Sequence, residues 1–128
     1  MGRLQDKRLF LLDMDGTIYL DDRLFDGVTA FLSRIREKGG RYLFLTNNSS
    51  RGTDAYIAKM KRLGIEAFPE DFLTSADAAV DYFRQNPSEG NIYVCGTESL
   101  KGQLRAAGLP VAASADDRVS AVLLGYDT

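Results

Sequence analysis

The segment that most constrains this chain is a short apolar run that ends in two aspartates. Residues Leu9 to Leu12 are four consecutive apolar residues, and Asp13, Asp15 and Gly16 follow closely. An unbroken apolar run of this length is typical of a strand buried on both faces, as in a parallel sheet. Open α/β sheets bind ligands at the carboxyl ends of their strands. The pattern therefore predicts an α/β fold whose first strand delivers two carboxylates to a site.

Composition narrows the chemistry that such a site can use. The 128 residues carry a net charge of -2 and no polybasic run, which argues against nucleic-acid and anionic-membrane partners. The chain contains no histidine, which excludes Ser-His and Cys-His catalysis and zinc sites built on histidine. We interpret Cys95, the single cysteine, as a buried apolar residue. No membrane-spanning stretch or signal segment is recognisable, so we expect a cytoplasmic protein.

Strand and helix patterns alternate along the chain, and residues 86–90 form the best linker candidate, after which the alternation restarts. The predicted elements after the first strand are a hairpin around Asp21 and Asp22, a helix capped by Asp26, a strand at 41–45, a helix capped by Thr53, a strand at 72–74, a helix capped by Ser75, a strand at 92–95, a helix capped by Thr97 and a strand at 119–124. This order indicates two runs of β/α units.

The first two strands are expected to be parallel neighbours, because β-α-β crossovers are right-handed and short. Their carboxyl ends then bring together Asp13, Asp15, Gly16, Thr46, Asn47 and Asn48. A carboxylate can attack a phosphoryl group, and a second carboxyl can transfer the protons of the reaction. Magnesium binds carboxylate and phosphate oxygens, and hydroxyl and amide groups can hold phosphoryl oxygens. Gly16 would allow a sharp turn without a side chain in the way of the phosphate.

Two motifs in these positions carry a family resemblance. The sequence DMDGTIY at residues 13–19 resembles the first motif of the haloacid dehalogenase phosphatases. The sequence LTNNSSR at residues 45–51 resembles their second motif, in the form typical of the NagD-like branch. That branch includes 4-nitrophenyl phosphatases, phosphoglycolate phosphatases and pyridoxal phosphate phosphatases. Segments at 73–75, 93–96 and 122–127 resemble the same branch, so the likeness spans nearly the whole chain.

The resemblance implies a fold and an activity. The fold would be a Rossmann-like core with a parallel sheet over residues 1–86, followed by the start of an α/β cap domain over residues 87–128. The activity would be magnesium-dependent hydrolysis of a phosphomonoester through an aspartyl-phosphate intermediate. The substrate would be a small phosphorylated metabolite, selected by the cap.

The resemblance also implies a role for each residue of the two motifs. Asp13 would be the nucleophile and a magnesium ligand. Asp15 would be the general acid and base, and would offer its backbone carbonyl to the metal. Thr46 would bind the transferring phosphoryl group, while Asn47 and Asn48 help to position the substrate.

Two further motifs of the family do not occur in the sequence. The family uses a lysine and additional acidic metal ligands that follow the cap, and Lys101 does not match the lysine. We therefore expect poor turnover or none from these 128 residues by themselves. The first strand would also become an exposed apolar edge, and such edges recruit other chains. This predicts self-association by strand pairing or domain swapping.

Other interpretations stay open beside the phosphatase. A non-enzymatic phosphoacceptor similar to a bacterial receiver domain fits the length and the fold class, although receivers carry their acceptor on a middle strand. A binding fragment without catalysis fits the missing motifs. We interpret the pairs Asp21-Asp22 and Asp116-Asp117 as turn residues, and Arg51 as a solvated arginine.

Overall fold

A computed structural model describes residues 3–48 and 51–126. Within these ranges the strands and helices are β1 (Leu9–Asp13), β2 (Tyr19–Leu20), β3 (Arg23–Leu24), α1 (Val28–Glu37), β4 (Arg41–Thr46), α2 (Thr53–Arg62), β5 (Phe72–Thr74), α3 (Ser75–Gln85), β6 (Asn91–Cys95), α4 (Glu98–Ala106) and β7 (Val119–Leu124). The α/β class and the predicted order of elements are confirmed. None of the helices in this part of the chain has the length and apolar character that crossing a bilayer needs.

The chain divides into two compact units. The first contains the residues up to Thr46 together with Tyr56–Leu73, and the second contains Asn47–Ala55 and the residues from Thr74 onward. This division does not coincide with the expected domain boundary after residue 86, because α3 packs its inner face within the second unit. The assignment of a core domain and a cap domain stays a prediction.

The first unit is built on a sheet with the strand order β1-β4-β5. β1 and β4 are parallel, with Leu9 opposite Arg41 and Asp13 opposite Leu45. The prediction that the first two long strands are parallel neighbours is therefore confirmed. Their shared direction places the ends of both strands at the same edge of the sheet, which is where the polar motifs begin.

The helices of the first unit cover this sheet with the apolar faces that the sequence pattern predicts. The buried residues of the cluster are Met14, Ile18, Tyr19, Val28, Leu32, Ile35, Tyr42, Phe44, Tyr56, Met60, Ile65, Ala67 and Phe72. Phe31 lies outside this cluster: it is 40% exposed and meets Phe10 edge to face, with ring centroids 5.7 Å apart. Burial of each large apolar side chain contributes about 1.5–3 kcal/mol.

The first strand is not buried on both faces, which corrects the prediction made from its apolar run. Its side chains alternate, with Leu9 and Leu11 both 57% exposed and Phe10 and Leu12 turned toward the core. β1 pairs only with β4 in the described sheet, so it lies at the edge and presents one apolar face to solvent. The exposed strand exists as expected, whereas self-association through it stays a prediction.

The start of α1 differs from its predicted cap. The residue that precedes the helix is Gly27, with a φ of 85°, and no side chain caps the first turn. The prediction that Asp26 caps α1 is therefore wrong. The chain enters α1 through a left-handed backbone conformation, which glycine adopts without strain.

The start of α3 also differs, by one residue. Thr74, not Ser75, is the cap: its hydroxyl accepts a hydrogen bond from the Asp77 backbone N–H, 3.1 Å away. Asp77 Oδ2 accepts a bond from the Thr74 N–H in return, at 2.9 Å. This reciprocal pair is a capping box, and an acid three residues after the cap was its signature. For α4 the predicted cap is confirmed, since Thr97 Oγ1 accepts from the Leu100 N–H.

The second unit has its own parallel pair and its own core. β6 pairs with β7 over Ile92 to Cys95, and the buried cluster contains Ala76, Ile92, Val94, Leu100 and Leu104. Cys95 is exposed, so the prediction that it is a buried apolar residue is wrong. Side chains alternate along a strand, and because Val94 points into the core, Cys95 points out of it.

Candidate active site

The segment after β1 is a tight loop that closes on itself. The Gly16 N–H donates to the Tyr19 carbonyl at 2.8 Å, and the Ile18 N–H donates to the Met14 carbonyl at 2.9 Å. Gly16 has a φ of +81°, and a Cβ atom built there would meet nothing within 4 Å. Glycine is therefore required by the backbone conformation, since the surrounding space is open. The proposed role of Gly16 in leaving room for phosphate stays a prediction.

Both acidic side chains of this loop are exposed. Asp13 ends β1, and its Oδ2 accepts a hydrogen bond from Thr17 Oγ1 at 3.3 Å. Asp15 lies two residues further on, within the closed loop. The two carboxylates are thus held on an ordered backbone at the end of a strand while their oxygens stay open to solvent. This geometry suits groups that must meet a ligand.

The end of β4 brings a hydroxyl to the same edge. Asp13 is opposite Leu45, so Thr46 lies one residue beyond that pair on the adjacent strand, and neighbouring strands run about 4.8 Å apart. Thr46 is buried, with its Oγ1 3.4 Å from the Tyr56 hydroxyl of α2. The contact restricts the orientation of the Thr46 hydroxyl. The structure therefore brings Asp13 and Thr46 together at one edge, as their spacing predicts.

The rest of the second motif falls in the second unit. Asn47 is exposed, and its backbone carbonyl accepts a hydrogen bond from Ser75 Oγ at 3.1 Å. Asn48 is half-buried. The roles of Asn47 and Asn48 in positioning substrate stay predictions, and Ser49 and Ser50 lie outside the described residues.

Tyr19 is a residue of this site that its sequence pattern did not reveal. The ring is fully buried, and its hydroxyl has no hydrogen-bond partner within the described part of the chain. Burial raises the pKa of this phenol well above its ordinary value, and the negative charge of Asp15 raises that pKa further. The hydroxyl thus lies close to the Asp15 carboxylate without meeting it in full hydrogen-bond geometry. Only the position of Tyr19 at the end of the first motif could have indicated it.

Lys59 is the second residue that sequence reasoning missed. Its Nζ lies 3.8 Å from the centroid of the Tyr19 ring, which is a cation-π contact. The signal available in the sequence was its spacing, because Lys59 follows Tyr56 by three residues and so shares the inward face of α2. Lys101, by contrast, forms an ion pair with Glu98 at 2.7 Å within the second unit.

The oxygen ligands of the loop suit magnesium and can supply part of its coordination shell. Asp13 and Asp15 supply oxygen atoms, the ligand type that magnesium prefers, and this ion commonly keeps waters and takes only one or two carboxylates. No group of three or more His, Cys, Asp or Glu residues suited to a metal is found in residues 3–48 and 51–126. The residues present can therefore hold the protein side of a magnesium site but not a closed cage.

A family comparison assigns this loop and strand arrangement to a known group. The model of the haloacid dehalogenase-like hydrolases matches residues 10–110. The chain belongs to this hydrolase family. The match includes the whole closed loop and the end of β4, and it confirms the resemblance that the two motifs carry.

Known relatives place this haloacid dehalogenase-like chain more closely. It is 32% identical over 124 residues to an acid sugar phosphatase of Staphylococcus aureus, covering 97% of the chain and 47% of that protein. The structure of a 4-nitrophenylphosphatase from Thermotoga maritima superposes with a TM-score of 0.84 at 35% identity, covering 94% of this chain and 45% of that one. A glycerol phosphate phosphatase from Mycobacterium tuberculosis, in complex with magnesium, gives 0.84 at 34% identity, covering 97% and 37%. The chain spans about half the length of the curated relatives it matches.

Proposed function

We propose that the protein is a magnesium-dependent phosphomonoester hydrolase that acts on a small phosphorylated metabolite. The observation that carries this proposal is the register of β1 and β4, which sets the Asp13 loop beside Thr46 in a chain of a hydrolase family. The names of the relatives support the substrate class, since they read acid sugar phosphatase, 4-nitrophenylphosphatase and glycerol phosphate phosphatase.

The first half of the proposed reaction transfers the phosphoryl group to the protein. A carboxylate oxygen of Asp13 attacks phosphorus, the ester P–O bond breaks, and the leaving oxygen takes a proton from the carboxyl of Asp15. The hydroxyl of Thr46, oriented by Tyr56, donates to a phosphoryl oxygen on which charge develops. Asn47 and Asn48 position the substrate.

The second half regenerates the carboxylate. Asp15, now ionised, takes a proton from a water molecule whose oxygen attacks phosphorus. The bond between phosphorus and Asp13 breaks, and inorganic phosphate leaves. The Asp13 carboxylate and the Asp15 backbone carbonyl would hold magnesium, which when bound neutralises charge on the phosphoryl oxygens. A relative has been solved with magnesium and also with calcium.

Hydrolysis of 4-nitrophenyl phosphate with magnesium tests this function. In the complete natural protein, Asp13→Asn is expected to lower kcat by roughly a thousandfold or more, because the nucleophile is lost. The same substitution should abolish covalent phosphorylation by the substrate after acid quenching. The matched control is Asp117→Asn, since Asp117 lies in a loop of the second unit and bonds the backbone N–H groups of Ala113 and Ser114.

Equal rates for wild type and Asp13→Asn would overturn the proposal. Assayed alone, the 128-residue chain is expected to turn over poorly. Lys101, which does not match the family's lysine, forms an ion pair with Glu98. A kcat of about 10 s⁻¹ or more, the median for enzymes, would contradict that expectation.

A further inference from the structure

The buried hydroxyl of Tyr19 is an unusual feature of the first unit. Tyr19 has a relative exposure of 0%, and its hydroxyl finds no hydrogen-bond partner within the described residues. A buried donor without a partner destabilises a fold, and phenylalanine in the same place would carry no such cost. A polar group held in this way is therefore expected where it serves a function.

The surroundings of the hydroxyl indicate its function. The negative charge of Asp15 raises the pKa of this hydroxyl more than the negative charge of Asp13 does. The backbone of Asp15 is fixed, because residues Asp15 and Tyr19 form a β-bridge and the Gly16 N–H bonds to Tyr19. The side chain of Asp15 is exposed and can rotate. A donor on the buried side of that carboxyl would restrict its rotation.

The ring that carries the hydroxyl is itself held in place. Lys59 Nζ lies over its face, 3.8 Å from the centroid, and reaches it from α2. The attraction between the ammonium and the ring face helps to hold the ring in place. Tyr56, on the same face of α2, holds Thr46 in the first unit. Helix α2 thus contacts both Tyr19, which follows β1, and Thr46, which ends β4.

We propose that Tyr19 is a positioning residue for Asp15, with Lys59 as its support. In this arrangement, which rests on the proposed phosphatase function, the Tyr19 hydroxyl donates to one oxygen of the Asp15 carboxyl. The other oxygen, which carries the transferable proton, is then directed at the oxygen of the leaving group. Tyr19 touches no reacting atom itself and acts only through the orientation of Asp15.

The test compares leaving groups in the complete natural protein with magnesium. Release of an aliphatic alcohol from glycerol 3-phosphate depends on protonation by Asp15, whereas 4-nitrophenolate leaves with little help. Tyr19→Phe is expected to lower kcat about tenfold for the alkyl ester and no more than about twofold for 4-nitrophenyl phosphate, since general acid catalysis contributes only to the first. KM should change little for either ester. Lys59→Met should show the same pattern as Tyr19→Phe, a loss of kcat for the alkyl ester in particular, but by a smaller factor.

Matched controls exist in the same unit. Tyr42 is 4% exposed and lies under the guanidinium of Arg36, with Cζ 4.9 Å from its ring centroid, but it sits at the opposite end of β4 from Thr46. Tyr42→Phe and Arg36→Met should therefore leave the ratio of the two kcat values unchanged. The unfolding temperature of each variant is measured beside the rates, so that a loss of activity through unfolding is recognised.

Each result decides the proposal. A loss confined to the alkyl ester supports it, and an equal loss on both esters, or no loss, overturns it while leaving the phosphatase function in place. If Tyr19→Phe does not fold, the ratio measured for Lys59→Met decides in the same way. If wild type hydrolyses neither ester and is not phosphorylated on Asp13, the phosphatase function fails and the role of Tyr19 fails with it.

Discussion

The two units each contain a parallel strand pair, but the pairs end differently. In the first unit, β1 and β4 end in Asp13 and Thr46, and side-chain oxygens occupy the edge. In the second, β6 and β7 end in Cys95 and Leu124, and the next residue, Gly125, donates its N–H to the Cys95 carbonyl at 2.8 Å. In the second unit a backbone hydrogen bond follows the strand ends, whereas in the first unit side-chain oxygens there can meet a ligand. The residues that follow a strand, more than the strand itself, decide where a site can form.

The largest expected effect tests whether the two cores are independent. Met60 in the first unit and Leu104 in the second are both fully buried. Met60→Ala and Leu104→Ala should each lower the free energy of unfolding by about 2–5 kcal/mol, through lost burial and a cavity. Hydrogen exchange should show protection lost chiefly in the unit that carries the substitution. Uniform loss across both units after either substitution would show one cooperative core and remove the distinction.

A smaller effect on stability distinguishes two glycines that differ in backbone conformation. Gly16 has a φ of +81°, so Gly16→Ala should cost about 1–2 kcal/mol through strain although the space around it is open. Gly102 lies inside α4 with nothing near its missing Cβ, so Gly102→Ala should stabilise by about 0.5–1 kcal/mol. Thermal and denaturant unfolding measure both. The same sign for both substitutions would contradict the backbone argument.

The smallest expected effect concerns an acid that serves structure alone. Asp117 Oδ2 accepts from the backbone N–H groups of Ser114 and Ala113, and these bonds lower the pKa of its carboxyl. A lowered pKa in the folded state stabilises above the unfolded value, about 3.9, and this stabilisation is lost as pH falls through the folded value. Asp117→Asn should therefore lower the unfolding temperature slightly at pH 7, with the difference from wild type shrinking below about pH 4. A difference that grows on acidification would refute the assignment.

The elements of the fold could be predicted because local patterns agreed with tertiary packing. The bounds of β7 and the cap at Thr97 follow from an apolar run and from a hydroxyl before a helix. The two helix caps that were predicted wrongly each required a choice between neighbouring residues. Asp26 and Gly27 both precede α1, and only the entry angle of the chain, which sequence does not show, favours the glycine.

The candidate site was predictable in part for a related reason. Asp13, Asp15 and Thr46 are polar residues directly after apolar strands, so they stand out against their surroundings. Tyr19 and Lys59 do not, because a tyrosine in a short strand and a lysine in a helix are ordinary. Their proposed roles depend on a contact between a hairpin and a helix that are 40 residues apart in sequence, from Tyr19 to Lys59. Such contacts require the folded chain.

The closed loop between Asp13 and Tyr19 has a consequence for how such proteins can diversify. Its backbone hydrogen bonds join residues at most five positions apart, so its shape depends on local contacts. The hairpin that follows turns at Asp21, whose φ is 51°, in a solvent-exposed tip. Longer segments could be grafted at that tip to change what approaches the carboxylates while their own spacing stays constant.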